Sequence, residues 1–361
     1  MLASLVRWTY RHLVALYPAE LRREHGDRWW WISLFKVFLL HLPITAFPWF
    51  NYLRAGGGIG VQFFFVLSGF LITSIIVAER QAGCFTLAGF YERRARRILP
   101  ALSLVMLVSI PLAWLWLIPS DTAEFSRSLV YASTFTSNIF FWQNVHYFDT
   151  AADLKPLLHT WSLAIEEQFY LFFPLFLLLF WRFGRNLIIG LVILLLAASL
   201  VLAQWGSVNV PTANFYLLPS RGWELMIGGL LALLFFKYPD AARPGVRLLP
   251  LYQALSMAGL LLLAFSILYF DTDTPFPGAY ALVPTAGAAM IILFATPQTL
   301  VGRLLGLKAV VVIGLISYSA YLWHFPLFVF TRYRMDGEPG ALILFALSCL
   351  ALVLAYYSWK Y

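Results

Sequence analysis

Charge is what this chain has least of. Only 12% of its 361 residues are Asp, Glu, Lys or Arg, about half the share found in a soluble domain, while 61% are hydrophobic. That balance excludes a water-soluble globular domain and predicts an integral membrane protein. Cysteine is nearly missing: Cys84, in a loop, and Cys349, in the last apolar run, exclude a disulfide framework. The N-terminus lacks a clean apolar core followed by a small-residue cleavage site, so no cleavable signal peptide is expected. Nor is a metal centre expected, because the His and Asp residues of HYFDTAADLKPLLH, His146 to His159, do not follow a specific ligand spacing.

Apolar runs of near-span length fill most of the chain. They recur at 30–50, 60–79, 98–118, 164–181, 186–204, 221–236, 251–270, 279–296, 309–330 and 340–358. Since about 20 apolar residues cross a bilayer as a helix, the fold class predicted is an all-α bundle of about ten transmembrane helices. The formal charge of +8 does not point to nucleic acid, because its placement has a topological cause: basic residues mark the cytoplasmic side. Arg7, Arg11, Arg22, Arg23 and Arg28 precede the first run, and Arg80 with Arg93, Arg94, Arg96 and Arg97 separates the second from the third. Arg182 and Arg185, then Lys237, Arg243 and Arg247, then Arg303 and Lys308 take every second later connection, with DTAE at 121–124 and DTDT at 271–274 opposite them. The alternation holds if 128–142 does not fully cross, leaving 119–158 as an irregular or re-entrant outer segment and both termini in the cytoplasm. Arg332 and Arg334 are the exception. Residues 1–28 read as a basic amphipathic interfacial segment, ahead of a membrane domain at 29–361.

Ionisable groups at membrane depth are costly, about 2.5–3.5 kcal/mol at the centre by insertion scales, so those present mark a protein-facing or wet interior. The richest stretch is LKPLLHTWSLAIEEQFY, from Leu154. Pro156 suits a helix start, and a helix from Leu157 to about Trp181 places His159, Ser162, Glu166 and Tyr170 on one stripe. Similar stripes recur in SRGWELMIGG, with Arg221 and Glu224 three apart, and in ISYSAYLWHFPL, with Ser317, Tyr321 and His324. Lys36 and His41 stand in the first run; His41 is either a core residue or a proton-transfer group. The FYERRARRILPAL arginines fit positive-inside topology or an anion site, Arg94 and Arg97 being spaced to clamp one pyrophosphate. In GVQFFFVLSGFLIT, Gln62, Gly69 and Thr73 share a face with Val66 as a small-residue and polar seam, and close helix packing accounts for Gly69 and Ser68.

These motifs, in this order, closely resemble the acyltransferase-3 family of bacterial membrane O-acyltransferases over about residues 56–326, and the wording around YFDTAADLKPLLHTWSL is most similar to members that acetylate surface polysaccharides. The resemblance implies transfer of an acyl group, usually acetyl from acetyl-CoA, to a hydroxyl of a cell-envelope polysaccharide or glycolipid across the bacterial inner membrane, with no permanently bound cofactor. It implies His41 as general base, aided by Glu166 and His324; Arg93, Arg94, Arg96 and Arg97 at the coenzyme; and Trp161, Ser162, Tyr170, Arg221, Glu224 and Tyr321 about the acceptor. The family usually has an arginine eleven residues before the histidine, where this chain has Trp30. Some members carry an additional hydrolase-like domain, and none is expected after YYSWKY. A carrier or partner subunit for acyl or lipid-linked sugar groups, or a degenerate inactive relative, stays open as an alternative.

Overall fold

A computed structural model describes residues 50–144, 154–237, 246–270, 274–335 and 339–360. The first apolar run, including Lys36 and His41, and the segment 1–28 lie outside the described residues, as does His146. Within them the fold is helical throughout, without a strand. The helices are α1 (Phe50–Gln81), α2 (Leu87–Trp116), α3 (Pro119–Ser133), α4 (Ser137–Asn144), α5 (Thr160–Phe180), α6 (Arg185–Asn209), α7 (Pro211–Tyr216), α8 (Leu218–Lys237), α9 (Leu249–Tyr269), α10 (Leu282–Phe294), α11 (Leu300–Leu305), α12 (Lys308–Arg334) and α13 (Ala341–Lys360).

Among the described residues, eight helical stretches are long and apolar enough to cross a membrane, and each coincides with a run expected from the sequence; the expected span at 279–296 is a shorter apolar helix, Ala279–Phe294. The all-α membrane fold is therefore as read from the sequence. One boundary needs correcting: the helix expected from Leu157 begins at Thr160, after a turn in which Leu158 N–H bonds the Lys155 carbonyl and Thr160 N–H that of Leu157. Proline at 156 starts a turn here rather than the helix itself. Pro100 and Pro111 lie within α2, Pro174 within α5 and Pro326 within α12, where neighbouring helices can compensate the lost backbone bonds.

α1 is the axis of the bundle. Of its apolar window 83% is buried, against 11% for α13 at the periphery, which fits its glycine-bearing sequence. α8 runs alongside and parallel to it: a Cβ on Gly69 would lie 1.8 Å from the Leu225 carbonyl oxygen, and one on Gly228 would lie 1.8 Å from that of Val66. The seam expected at Gly69 is real, and the absent side chains let the two backbones touch. α5, α9 and α10 also pack on α1, while α12 joins α2 and α13.

Side-chain contacts define two ends. At one, Arg93 pairs with Glu79, Arg80 lies 5.7 Å from the Trp181 ring, Arg185 donates to the Phe236 carbonyl and Lys237 to Asn186. This is the basic end. At the other, Lys155 meets Glu124 at 2.5 Å and the Tyr333 hydroxyl donates to Asp121 at 2.7 Å. The expected irregular segment falls here. Instead of one crossing helix, 119–144 forms α3 and α4, broken at Phe135, whose φ of 53° is unusual for a residue with a side chain. Gln168 of α5 holds the break, donating to the Phe135 carbonyl at 3.0 Å and to Asn138 Oδ1 at 2.8 Å. Gln168→Ala removes both bonds and should destabilise the protein by about 1–3 kcal/mol, seen as a lowered melting midpoint in detergent together with new proteolytic cleavage confined to 133–138.

Candidate active site

The stripe on α5 is the backbone of the site, and each of its members finds a partner on another helix. Nearest the basic end, the Arg94 guanidinium sits 4.9 Å from the Tyr170 ring centroid and 5.9 Å from that of Phe90. One turn on, Ser68 of α1 donates a short hydrogen bond to Glu166, and both residues are buried. A further turn on, Ser162 Oγ and the Tyr321 hydroxyl of α12 are 2.7 Å apart. Tyr321 gives its proton to the His159 backbone carbonyl, so Ser162 donates to Tyr321. His324 completes the ladder, its ring centroid 5.7 Å from that of His159. Its Nδ1 lies 2.6 Å from the Tyr321 carbonyl; a carbonyl can only accept, so Nδ1 carries the hydrogen and Nε2 is the basic nitrogen. His159 is also sandwiched against Phe325, 5.2 Å away and near parallel.

The structure thus brings together Ser162, Glu166, Tyr170, Tyr321, His324 and Arg94 from α2, α5 and α12, with His159 from the turn that enters α5 and Ser68 from α1. It divides the arginine cluster. Arg93 forms an ion pair with Glu79 at 2.6 Å, and Arg96 pairs with Glu92 one turn back, also at 2.6 Å. Arg94 turns inward to Tyr170, and Arg97 is exposed. Of the four expected at a coenzyme, Arg94 reaches the ladder directly.

Arg221 and Glu224 form the ion pair their spacing allowed, at 3.2 Å, in a setting the spacing did not reveal. Arg221 is 1% and Glu224 0% exposed. The Arg221 guanidinium lies 5.4 Å from the rings of Phe65 and Trp161 and 5.5 Å from that of Phe215. A cation stacked on three aromatic faces is held in place by the ring quadrupoles. The pair braces Trp161 from behind; neither member is presented on an open surface.

Two further residues belong to the site. Ser68 reads in sequence as packing, because a small residue beside Gly69 needs no other reason. Glu167 sits about 100° round the helix from Glu166, off the stripe, although a second carboxylate in an apolar run was signal enough to consider it.

The chain matches an acyltransferase domain family over residues 28–360, which takes in every element described above. It belongs to the acyltransferase-3 family. Among curated relatives, the O-acetyltransferase OatA of Staphylococcus aureus (strain NCTC 8325 / PS 47) is 30% identical over 315 residues, covering 85% of this chain and 52% of OatA. A putative O-acetyltransferase of S. aureus strain COL, SACOL0978, is 31% identical over 317 residues with the same coverage. This acyltransferase-3 chain therefore spans about half the length of the curated relatives it matches. No solved structure gives a significant match. Among the described residues no group of three or more His, Cys, Asp or Glu side chains is placed to hold a metal.

Proposed function

We propose that the protein is a membrane O-acetyltransferase that takes an acetyl group from acetyl-CoA at the basic end and delivers it to a hydroxyl of a cell-envelope glycan or glycolipid at the opposite end. The observation that carries this is the ladder: polar partners at successive turns of one membrane-length helix, from Arg94 and Tyr170 to His159 and His324. A structural helix in lipid would need no such series. The names of the relatives supply the group transferred, and the positive-inside pattern supplies the orientation, with both termini in the cytoplasm of a bacterial inner membrane.

In this reading Arg94 and Arg97 take the coenzyme's phosphates, for which guanidinium forks are suited. The acceptor oxygen attacks the thioester carbonyl carbon, the carbon–sulfur bond breaks, and the coenzyme leaves as a thiol. His41 accepts the hydroxyl proton and passes it to the departing sulfur. Glu166 and the basic nitrogen of His324 set the field in which that proton moves, and Trp161, Ser162 and Tyr321 shape the acceptor side.

The test is transfer of radiolabelled acetyl from acetyl-CoA into lipid and polysaccharide fractions of membranes expressing the wild type or Arg94→Ala. Label should enter with the wild type and fall about tenfold at subsaturating donor with Arg94→Ala, the loss of one charge-assisted contact. A folded wild type that transfers no label to either fraction, while the membranes supply acceptor to an active relative, would sink the proposal and favour a carrier.

A further inference from the structure

Among the described residues, Glu167 is a carboxylate beside the ladder with an unfilled acceptor and no ion-pair partner within 4 Å. Glu166 accepts from Ser68 and Glu79 from Arg93, and Glu224, whose oxygens accept no hydrogen bond, has the Arg221 cation beside it at 3.2 Å. Glu167 Oε1, by contrast, is buried and accepts no hydrogen bond from the protein. Leaving such an atom without a donor costs stability, so native structures seldom do it without a reason.

Its position narrows what the missing donor is. Glu167 and Tyr170 are three apart and share a helix face, and Arg94 lies over the Tyr170 ring. Arg97 stands three residues on from Arg94, on the same side of α2. A phosphate bound at these arginines offers no donor to the open Glu167 oxygen, whereas an N–H or O–H elsewhere on the same ligand does. A ligand suited to both groups carries phosphate at one point and a neutral donor a few ångströms further along. Glu167 is also about 4.5 Å, three helical residues, beyond Tyr170 in the direction of His159. A chain anchored by its phosphates at the arginines and extending along the ladder meets Glu167 next.

Resting on the acetyl-CoA reading above, we infer that Glu167 is a donor-specificity residue, its open oxygen accepting a hydrogen bond from a hydroxyl or amide N–H of the pantetheine arm while Arg94 and Arg97 hold the phosphates. It discriminates an acyl group on a pantetheine arm from other polyphosphates, and it fixes how far the thioester reaches along α5.

The test is equilibrium binding to the full chain in nanodiscs, with acetyl-CoA and with adenosine 3′-phosphate 5′-diphosphate, which keeps the phosphates and lacks the arm. Glu167→Ala should weaken acetyl-CoA about tenfold, the worth of one well-made hydrogen bond, and leave the nucleotide unchanged. Glu167→Gln, whose side-chain carbonyl still accepts, should recover most of the loss. Equal or tighter binding of acetyl-CoA by Glu167→Ala is what a merely repulsive carboxylate gives and overturns the proposal; so does a loss shared equally by the two ligands. Arg94→Ala separates this from the broader reading, since it should weaken both ligands. A wild type that binds neither removes the acetyl-CoA reading and this inference together, whereas one that binds both while Glu167→Ala changes nothing removes this inference alone.

Discussion

Acetyl transfer should fall by about 10²–10⁴ in His41→Ala, the range general acid–base groups contribute, and by about 10²–10³ in both Glu166→Ala and Glu166→Gln. The pairing of the two Glu166 variants is what makes the experiment informative. Glu166 is 3% exposed and bonded to Ser68. A glutamine keeps an acceptor for the Ser68 hydroxyl and removes only the charge. If Glu166 merely holds α5 to α1, Glu166→Gln should work nearly as well as the wild type and Ser68→Ala should be as damaging as Glu166→Ala. If its negative charge orients the base or balances the imidazolium formed when His41 takes the proton, both Glu166 variants should be inactive while Ser68→Ala loses much less. We expect the second pattern, measured as label transferred per unit of folded protein. Unchanged product from His41→Ala would remove that histidine from the mechanism.

The largest structural effect belongs to the α1–α8 seam. Gly228→Leu should prevent accumulation of folded protein, and Gly69→Ala and Gly228→Ala should each lower stability by about 1–3 kcal/mol. At both positions the atom met by a new Cβ is a backbone carbonyl oxygen, 1.8 Å away. A flexible side chain could swing aside, but a carbonyl is fixed by its own helix. The two helices would have to separate, breaking the packing of α1 against its other neighbours. Gly190, with open space where its Cβ would stand, is the control: Gly190→Ala should leave yield and melting midpoint unchanged. The measurement is the monodisperse fraction on size exclusion after detergent extraction, followed by thermal unfolding. Wild-type behaviour from Gly228→Leu would mean that the helices are not in contact there.

How much of this was legible beforehand depended on the distance over which each cause acts. The long helices were, because span-length apolar runs need only local composition to be recognised. The stripe His159, Ser162, Glu166 and Tyr170 was too, because helical periodicity alone places it. The Arg96–Glu92 pair lies one turn apart and could have been read from its spacing. Arg93 could not, since its partner Glu79 sits on the preceding helix, across the turn capped by Thr86. The aromatic enclosure of Arg221 draws rings from positions 65, 161 and 215, a juxtaposition created only by packing. The late start of α5 at Thr160 reflects a competition between turn and helix that Pro156 leaves open, settled here by the 155–158 and 157–160 backbone bonds.

The anchoring of the broken segment 119–144 has a consequence for how the chain is made. Its side-chain holds come from Lys155, Gln168, Tyr333 and the Tyr216 carbonyl, all of which leave the ribosome after it. With 15 and 8 residues, α3 and α4 are too short to be stitched into the bilayer on their own. The segment must wait at the membrane surface, partly docked once α5 emerges and fully secured only after α12. Assembly of the end that would meet the acceptor is therefore finished only once α12 has emerged, so truncation within α12 should leave most of the preceding spans inserted and that end unset.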